Sequence, residues 1–471
     1  MKNSIRIILA SFAFLTAVYS ECPAQDLQSG YFIDNYSYSY RLNPAFTTKK
    51  NFIGGVLSNV NAGTNSNVGL STFFYPHDGK LATFMHPSVG REEFLSKLHK
   101  NNKIGVNVNY NLASVGYWTK VRDRDVFQTF DISLRNNTAA KIPFGLFDFM
   151  KGGGDSFVYD LSHVYGYTRT FLEFTSGGAV KFDKLTLGAR AKFILGNNKI
   201  NMKVHHMIAE LDGLSWKVQS YGSITGAGGG IRNKTKKGAL SDDYDALDMD
   251  GIKWSPLGLG GVGGAIDLGV KYEINDYINV SASVIDLGFI VWRNKVNAIN
   301  LGETYIIQVE DIDSETGSIF NVVNNVINKF KSVYEFIPEK KNFTTQSLSI
   351  NLNLGAEFKL PFYKKMSIGI LGSTRNSHIN RYNEIRMSLN TSPLKWLSLS
   401  LTGAYTSFGW EVGGMVNVYA KKFSAYLGTD SYYFNMNSQF LPIHEANAHV
   451  VLGVNYLLTR NPWIKRSRQN R

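Results

Sequence analysis

The chain has 471 residues, 44% of them apolar, 13% aromatic and 18% charged, with a formal net charge of +13. A soluble domain carries about 25% charged residues, and so many aromatics rule out disorder over most of the length. The lone cysteine excludes a disulfide scaffold, and no segment beyond the first residues reaches the ~20 consecutive apolar positions of a membrane-spanning helix.

From the N-terminus, Lys2 and Arg6 precede the apolar run Ile7–Val18, which is too short to cross a bilayer. Cys22-Pro23-Ala24 then puts small residues at −3 and −1 of a cut before Gln25. Residues 1–24 therefore read as a cleaved export signal peptide, with a cut after Ser20 as the less favoured register. Acylation of Cys22 is the rival reading, set back by Glu21 where a small residue is expected. Cleavage removes the cysteine, and with it thiol redox and thiolate–metal chemistry. Residues 25–50 come next as an N-terminal segment, periplasmic or luminal, that holds Asn43-Pro44-Ala45.

Helical spacing first appears at Arg91–His99, where Phe94, Leu95 and Leu98 share one side, so a helical insertion is expected near 91–100. It leads into Ile104–Leu112, where Ile104, Val106, Val108, Tyr110 and Leu112 alternate with Gly105, Asn107, Asn109 and Asn111. Pro143 opens a second insertion near 143–151, with Phe144, Phe147 and Met150 at helical spacing until Gly152-Gly153-Gly154 stops it. Alternation returns at Leu185–Leu195, at Ile266–Tyr272 and, in two phases, over Ile278–Val291. A third helical stripe, from Ile319 through Val326 to Val333, is expected over 318–334. Leu348–Leu360 is the clearest alternating run and Ala448–Leu458 the last, ahead of a basic tail over 460–471.

Period-two alternation argues strands with one apolar and one polar face. Soluble strands alternate too, so three further features decide. Several runs reach the ~9–11 residues a tilted strand needs to cross a bilayer. Their non-apolar positions are Gly, Ser, Asn and Thr, which suit a crowded wet lumen. Short connections (Asp183-Lys184, Asn275-Asp276, Pro361–Lys365, Ser392-Pro393, Lys421-Lys422) alternate with long stretches at 225–262 and 292–346. That is the layout of outer-membrane barrels, whose sheet must close because hydrocarbon leaves no edge solvated. The fold expected over 51–459 is all-β: a closed antiparallel transmembrane β-barrel of about 14 strands, range 12–18 with 16 next in favour. Segments 66–75, 157–174 and 201–208 are weaker and read as strand extensions or further staves. Tyr110, Trp118, Tyr272, Trp292, Trp396, Tyr405, Trp410 and Tyr456 are expected in interfacial girdles. The three helices either cover loops and the barrel mouth or send one member into the lumen as a plug.

Several segments together carry a resemblance. They are Tyr40–Ala45, Leu95–Asn102, Ile142–Phe149 and, most specifically, Ile266-Asp267-Leu268-Gly269 paired with Ile285-Asp286-Leu287-Gly288 and its continuation to Trp292. The chain resembles an uncharacterised family of outer-membrane β-barrels from Bacteroidota, catalogued as a domain of unknown function. Its Asn-Pro-Ala element is also similar to that of fatty-acid-transporter-type barrels and of secretion-system barrels from the same bacteria. The resemblance implies the cell outer membrane of a Gram-negative organism, no cofactor, and Asn43, Pro44, Asp267, Gly269, Asp286 and Gly288 as structural signature positions. By analogy it implies a porin-like channel or transporter for small molecules, hydrophobic ones included. The alternative is a non-transporting scaffold or docking component of a secretion or surface-assembly system.

The two aspartates also carry a reading of their own. Asp267 lies on the polar phase of Ile266, Leu268, Val270 and Tyr272 and should point into the lumen. Asp286 shares the phase of Ile278, Val280, Ala282 and Val284, which would aim it at lipid. A bulge near Val284–Ile285 would move it inward and make Ile285, Leu287, Phe289 and Val291 the apolar set. Both aspartates are then expected to pair with luminal Arg or Lys.

Chemical motifs fail on context. Gly258-Leu259-Gly260-Gly261-Val262-Gly263 matches a dinucleotide fingerprint by letter but leads into an alternating strand, leaving no helix N-terminus for a pyrophosphate. His444 and His449 are five apart, not the four that one helical face of a zinc protease needs. The acidic run Asp242–Gly251 lacks the EF-hand acids, having Ala246 and Leu257 in their places; a looser calcium loop or a solvated loop remains. No catalytic constellation emerges, so the chain does not read as an enzyme. Its basic residues are spread along turns and tails without a patch interleaved with aromatics, which argues against nucleic acid. Outer-membrane lipid and lipopolysaccharide, with the barrel-assembly machinery during biogenesis, are the expected partners.

Overall fold

A strand in lipid can leave no N–H or C=O unpaired, so strands that face hydrocarbon must close on themselves. The computed structural model describes residues 26–77, 80–151, 158–212, 215–228, 234–237, 245–248, 258–308, 336–340, 342–376, 381–407, 409–432 and 448–458. Its architecture is a closed antiparallel barrel of 14 strands. Strand β1 runs over 51–66 in two pieces, Asn51–Gly54 and Val60–Ser66. Then come β2 (Asn101–Val121), β3 (Arg124–Pro143), β4 (Tyr165–Phe182) and β5 (Leu185–Asp212). Strand β6 is built from Ser215–Gly228 and Gly261–Glu273, β7 is Ile278–Gln308, and β8 is built from Ile337–Pro338, Phe343–Ser347 and Ile350–Lys359. The remainder are β9 (Met366–Asn376), β10 (Arg381–Leu394), β11 (Leu397–Thr406), β12 (Gly409–Tyr419), β13 (Phe423–Tyr432) and β14 (Ala448–Leu458). Each strand pairs with its successor, and β1 closes the ring on β14 through Phe52↔Leu457 and Ala62↔Val450.

The two pieces of β6 occupy consecutive places along β5, Gly228 opposite Asn198 and Gly261 opposite Gly196. Residues 229–260 are thus an insertion within one stave. Strands β5 and β7, at 28 and 31 residues, extend far past a bilayer's thickness. At one end every connection is short, with Arg122 and Asp123 both left-handed (φ 46 and 64) as a two-residue hairpin requires. Both ends of the barrel sequence, Asn51 and Leu458, meet there, and in outer-membrane barrels this end is periplasmic.

Alternation sorts the two faces as expected. Phe130, Leu134, Phe193, Phe289, Leu354, Ile385, Leu401 and Val454 are exposed on the outside, whereas Asn109, Ser133, Thr175, Asn353 and Asn417 are buried inside. Tyr272, Trp396, Tyr405, Trp410 and Tyr456 are exposed as girdle residues should be. Two others are not: Trp292 is fully buried on the luminal face, and Trp118 turns inward to donate from Nε1 to the Thr48 carbonyl at 2.7 Å. Two other expectations change. Residues 292–308 continue β7 as strand rather than loop. The turn expected at Ser392-Pro393 lies at Lys395-Trp396, because β10 runs on to Leu394 through a register shift. Helical structure near 91–100 and 143–151 is short, Arg91–Leu95 and Phe144–Met150, and packs outside the lumen. There Phe94 stacks on Phe84 at 4.4 Å and meets Phe147 edge-on at 5.8 Å, forming an aromatic cap on the long-loop end. The expected helix over 318–334, the signal peptide and the basic tail lie outside the described residues.

Residues 26–50 lie inside the lumen. Leu27, Tyr31, Tyr36, Tyr38, Tyr40 and Leu42 are all buried, packed with Phe52, Phe127, Met415 and Tyr426 of the wall. Tyrosine suits this position, since the ring supplies apolar contact and the hydroxyl meets a polar wall. Tyr38 Oη pairs with Ser114 Oγ at 2.6 Å and donates to Asn455 Oδ1 at 2.9 Å. Ser37 Oγ lies 3.0 Å from Ser424 Oγ, and the amides of Gln28 and Ser29 donate to the Asp430 carboxylate at 2.8 and 2.6 Å.

Candidate functional site

Midway along the lumen, neighbouring strands turn charged residues toward one another. Strand β3 supplies Asp131 and Arg135, β4 Glu173, β5 Arg190 and Lys192, β6 Asp267 and β7 Asp286. Arg135 donates to Glu173 at 2.9 Å and to Asp286 at 2.8 and 3.1 Å. Arg190 bridges Asp131 and Asp267, the latter at 3.2 Å, and Lys192 bridges Asp286 and Asp267, the latter at 3.0 Å. The plug closes the set: Tyr40 Oη donates to Asp131 at 2.6 Å, its ring stands 5.0 Å from the Arg190 guanidinium, and Arg41 reaches Asp26 at 3.3 Å. All of the strand members are buried. Buried charges persist only when paired and hydrogen-bonded, and here each cation touches a carboxylate. A cavity of about 30 Å³ remains among Asp26, Arg41, Glu173, Lys192 and Asp286, room for about one water.

The two aspartates meet because of the bulge. Ile266 pairs with Leu287 but Leu268 pairs with Val284, so Asp267 opposes both Ile285 and Asp286. Asp286 takes a left-handed φ of 61°, a conformation Asp tolerates better than most residues. Its amide donates to Asp267 Oδ1 at 2.8 Å. The phase flips at the expected place, with Leu287 and Phe289 outward; Ile285 itself is buried within the bulge rather than lipid-facing.

The Asn-Pro-Ala corner anchors the plug one step away. Asn43 Nδ2 donates to the carbonyls of Val270 and Ala282 at 3.2 and 3.1 Å, while its Oδ1 accepts the Ala45 amide at 2.9 Å. The preceding carbonyl, Leu42 O, accepts from Ser283 and Asn353. Gly188 and Gly269, paired across β5 and β6, leave a notch for the corner. A Cβ at Gly188 would stand 2.1 Å from the Pro44 carbonyl carbon, and one at Gly269 would stand 2.1 Å from Asn43 Oδ1. Gly288 answers a different need, since its Cβ would lie 2.1 Å from the Gly264 carbonyl.

Above and below this level the lumen changes character. Outward along β4 and β5 the charges give way to an apolar layer of Phe171, Ile194, Ala265, Ile290, Trp292 and Leu348. Toward the short turns a recess of about 190 Å³ opens between plug and wall, lined by Phe32, Asp34, Phe46, Lys271, Glu273 and Glu357. Across the ring, Arg386 pairs with Glu384 at 2.8 Å, and His449 Nδ1 lies 3.1 Å from Asp430.

The structure thus brings Asn43, Pro44 and Gly269 into one contact and Asp267 and Asp286 into another, adjacent one. Sequence reasoning missed Asp131, Arg135, Glu173, Arg190 and Lys192. The available signal was a charged residue on the polar phase in mid-strand, as at Asp131 and Arg135 between Phe130, Ile132 and Leu134. The glycine run at 258–263 enters strand as expected. His449 serves the Asp430 contact, and His444 lies outside the described residues. Of the acidic run, Asp245–Leu247 pairs with Thr235–Lys237 in a small hairpin.

A family model described as "Family of unknown function (DUF5723)" matches residues 44–430. No curated protein matches. Among solved structures, the chain is similar to the Ralstonia pickettii toluene transporter TbuX, at 10% identity and TM-score 0.41, over 93% of this chain and 98% of that one. It is similar to a Pseudomonas aeruginosa FadL homologue at 9% identity and TM-score 0.41, over 92% and 96% of the two chains. A TodX monoaromatic hydrocarbon channel mutant gives 10% identity and TM-score 0.42, over 90% and 94%.

Proposed function

The chain belongs to the DUF5723 family of unknown function, and from that premise we propose an outer-membrane conduit for small molecules gated by its own N-terminal segment. The observation that carries this reading is a segment, residues 26–50, lodged inside the barrel, where Tyr40 meets the wall's buried charge cluster and Gln28, Ser29, Ser37 and Tyr38 hydrogen-bond to the wall. A barrel that served only as an anchor gains nothing from buried ionisable groups, whose desolvation costs several kcal/mol each. Ionisable residues within a membrane mark pathways by default. The hydrogen bonds between plug and wall can be exchanged for water when the plug shifts. With about one water's room at the cluster, passage requires that shift.

The apolar layer outside the cluster suits hydrophobic cargo, and the recess on the short-turn side gives an exit. Among the described residues the lumen offers ion pairs rather than a nucleophile beside a base, so we read the chain as a non-enzyme. Its apolar outer belt would face outer-membrane lipid and lipopolysaccharide, with barrel-assembly machinery inserting it. The test is a reversible lock. Ser37→Cys with Ser424→Cys should form a disulfide between plug and β13, since the two Oγ atoms are 3.0 Å apart. Uptake into proteoliposomes, across sugars and monoaromatic hydrocarbons, is expected to fall at least tenfold when oxidised and to recover on reduction. Equal uptake in both states overturns plug gating. No uptake in either state, with a co-purifying protein, favours the scaffold instead.

A further inference from the structure

Among the described residues, two cations in the outer half of the lumen stand without a carboxylate in ion-pair range. Arg169 of β4 and Lys199 of β5 stand directly opposite in the ladder and are 3% and 4% exposed. Like charges directly opposed on neighbouring strands repel, and a buried charge calls for an opposite one. Deeper in the barrel that rule is met, since Arg41, Arg135, Arg190, Lys192 and Arg386 each touch a carboxylate. Arg169 instead donates only to neutral acceptors: Nε to Asn137 Oδ1 at 3.3 Å, Nη1 to the Ser347 carbonyl at 3.2 Å and Nη2 to Ser349 Oγ at 3.3 Å. Its guanidinium also lies 5.7 Å from the Tyr167 ring. Lys199 Nζ donates to Thr344 Oγ1 at 2.7 Å. Among the described residues no carboxylate stands within 4.0 Å of either group.

We propose that Arg169 and Lys199 form a binding site for a small oxyanion, a carboxylate or a phosphate. Guanidinium supplies five N–H donors and ammonium three, so after these contacts both groups keep donors to offer. Lys203 continues the luminal phase of β5 outward, extending the positive stripe toward the long-loop end. Such a stripe raises the local concentration of anions at the entrance. The apolar layer of Phe171, Ile194, Ile290 and Trp292 lies immediately beneath, where it keeps water from screening the pair. The site rests on the conduit reading and gives its cargo a negative charge, while binding is measured apart from passage.

The experiment is calorimetric titration of sodium acetate, and separately of inorganic phosphate, into the full chain in neutral detergent at low salt. Saturable binding of at least one is expected, weakened at least tenfold by Lys199→Gln and by Arg169→Gln. Lys181→Gln, whose ion pair with Glu273 lies at the short-turn end, should leave it unchanged. The two titrations separate a carboxylate site from a phosphate site. Thermal melting guards against a folding defect: without added anion, Lys199→Gln should melt no lower than the parent because a repulsion has been removed. A parent chain that binds neither anion, or a Lys199→Gln chain that melts several degrees lower, overturns the site, the latter by revealing an internal acid partner. Binding without uptake would keep the site and overturn the conduit; uptake without binding would do the reverse.

Discussion

Arg190 shows at one residue how this lumen is specified. Its register partner on β6 is Asp267, it reaches Asp131 on β3, and the Tyr40 ring of the plug covers it. Replacing it by methionine preserves much of the volume but strands two buried carboxylates with Lys192 as the remaining neighbour on that side. Breaking a buried pair by removing one partner costs about 3–5 kcal/mol. Arg190→Met is therefore expected to lower the unfolding free energy of the refolded barrel in urea by about that amount. Adding Asp267→Asn should recover part of the loss, because contacting groups couple by about 0.5–3 kcal/mol. Strictly additive losses in the double variant would show that the two side chains do not act as a pair.

At the scale of elements, the plug's tyrosines pack on large wall residues, but its Asn43-Pro44 corner fits the wall through small ones. Gly188 and Gly269 sit side by side on β5 and β6, and the Asn43-Pro44 corner occupies the space their missing Cβ atoms leave. The obstructing atoms at Gly188 are backbone, which cannot swing aside as a side chain can. Gly188→Ala is therefore expected to displace the corner while the ladder behind it, whose hydrogen bonds do not involve the Cβ, stays intact. Trypsin reads this directly, since Arg41 is 4% exposed in the seated plug and becomes a cleavage site once the corner lifts. Cleavage at Arg41 should rise at least tenfold in Gly188→Ala and Gly269→Ala. Gly403→Ala is the control, because nothing lies within 4 Å of a Cβ there. Equal protection in all three would mean that the notch does not seat the plug.

For the whole molecule, legibility in the sequence tracks the physics of each face. Leu348–Leu360 and Ala448–Leu458 alternate because lipid lies on one side and a wet lumen on the other, so the barrel was legible. The bulge was legible too, since the phase flips at Ile285. That flip also places Asp286, Gly288, Ile290 and Trp292 on the inner face, which is why Trp292 lies in the lumen although a tryptophan near a strand end suggests a girdle. Beyond the bilayer the requirement for an apolar face lapses, so Lys295–Asn300 reads as loop while continuing β7. The charge cluster was illegible because its members come from five strands, and a strand's own pattern does not say which residues the ring's curvature brings opposite it. The plug alternates only briefly, over Tyr36-Ser37-Tyr38-Ser39-Tyr40, too short a run to announce a stave; its four tyrosines between Tyr31 and Tyr40 hint instead at a segment apolar in bulk and polar at its tips. Closure of the ring is itself open to test. Every strand is bonded to two neighbours, β1 to β14 through both of its pieces, so among the described residues the ring has no open strand edge from which to unzip. Such a ring resists dodecyl sulfate until heated, when it opens as one cooperative unit. The purified chain is expected to run well ahead of its full mass on an unheated detergent gel and to shift up in a single step on heating. A chain that runs alike in both lanes, or that leaves the membrane fraction without detergent, would not be a closed barrel in lipid.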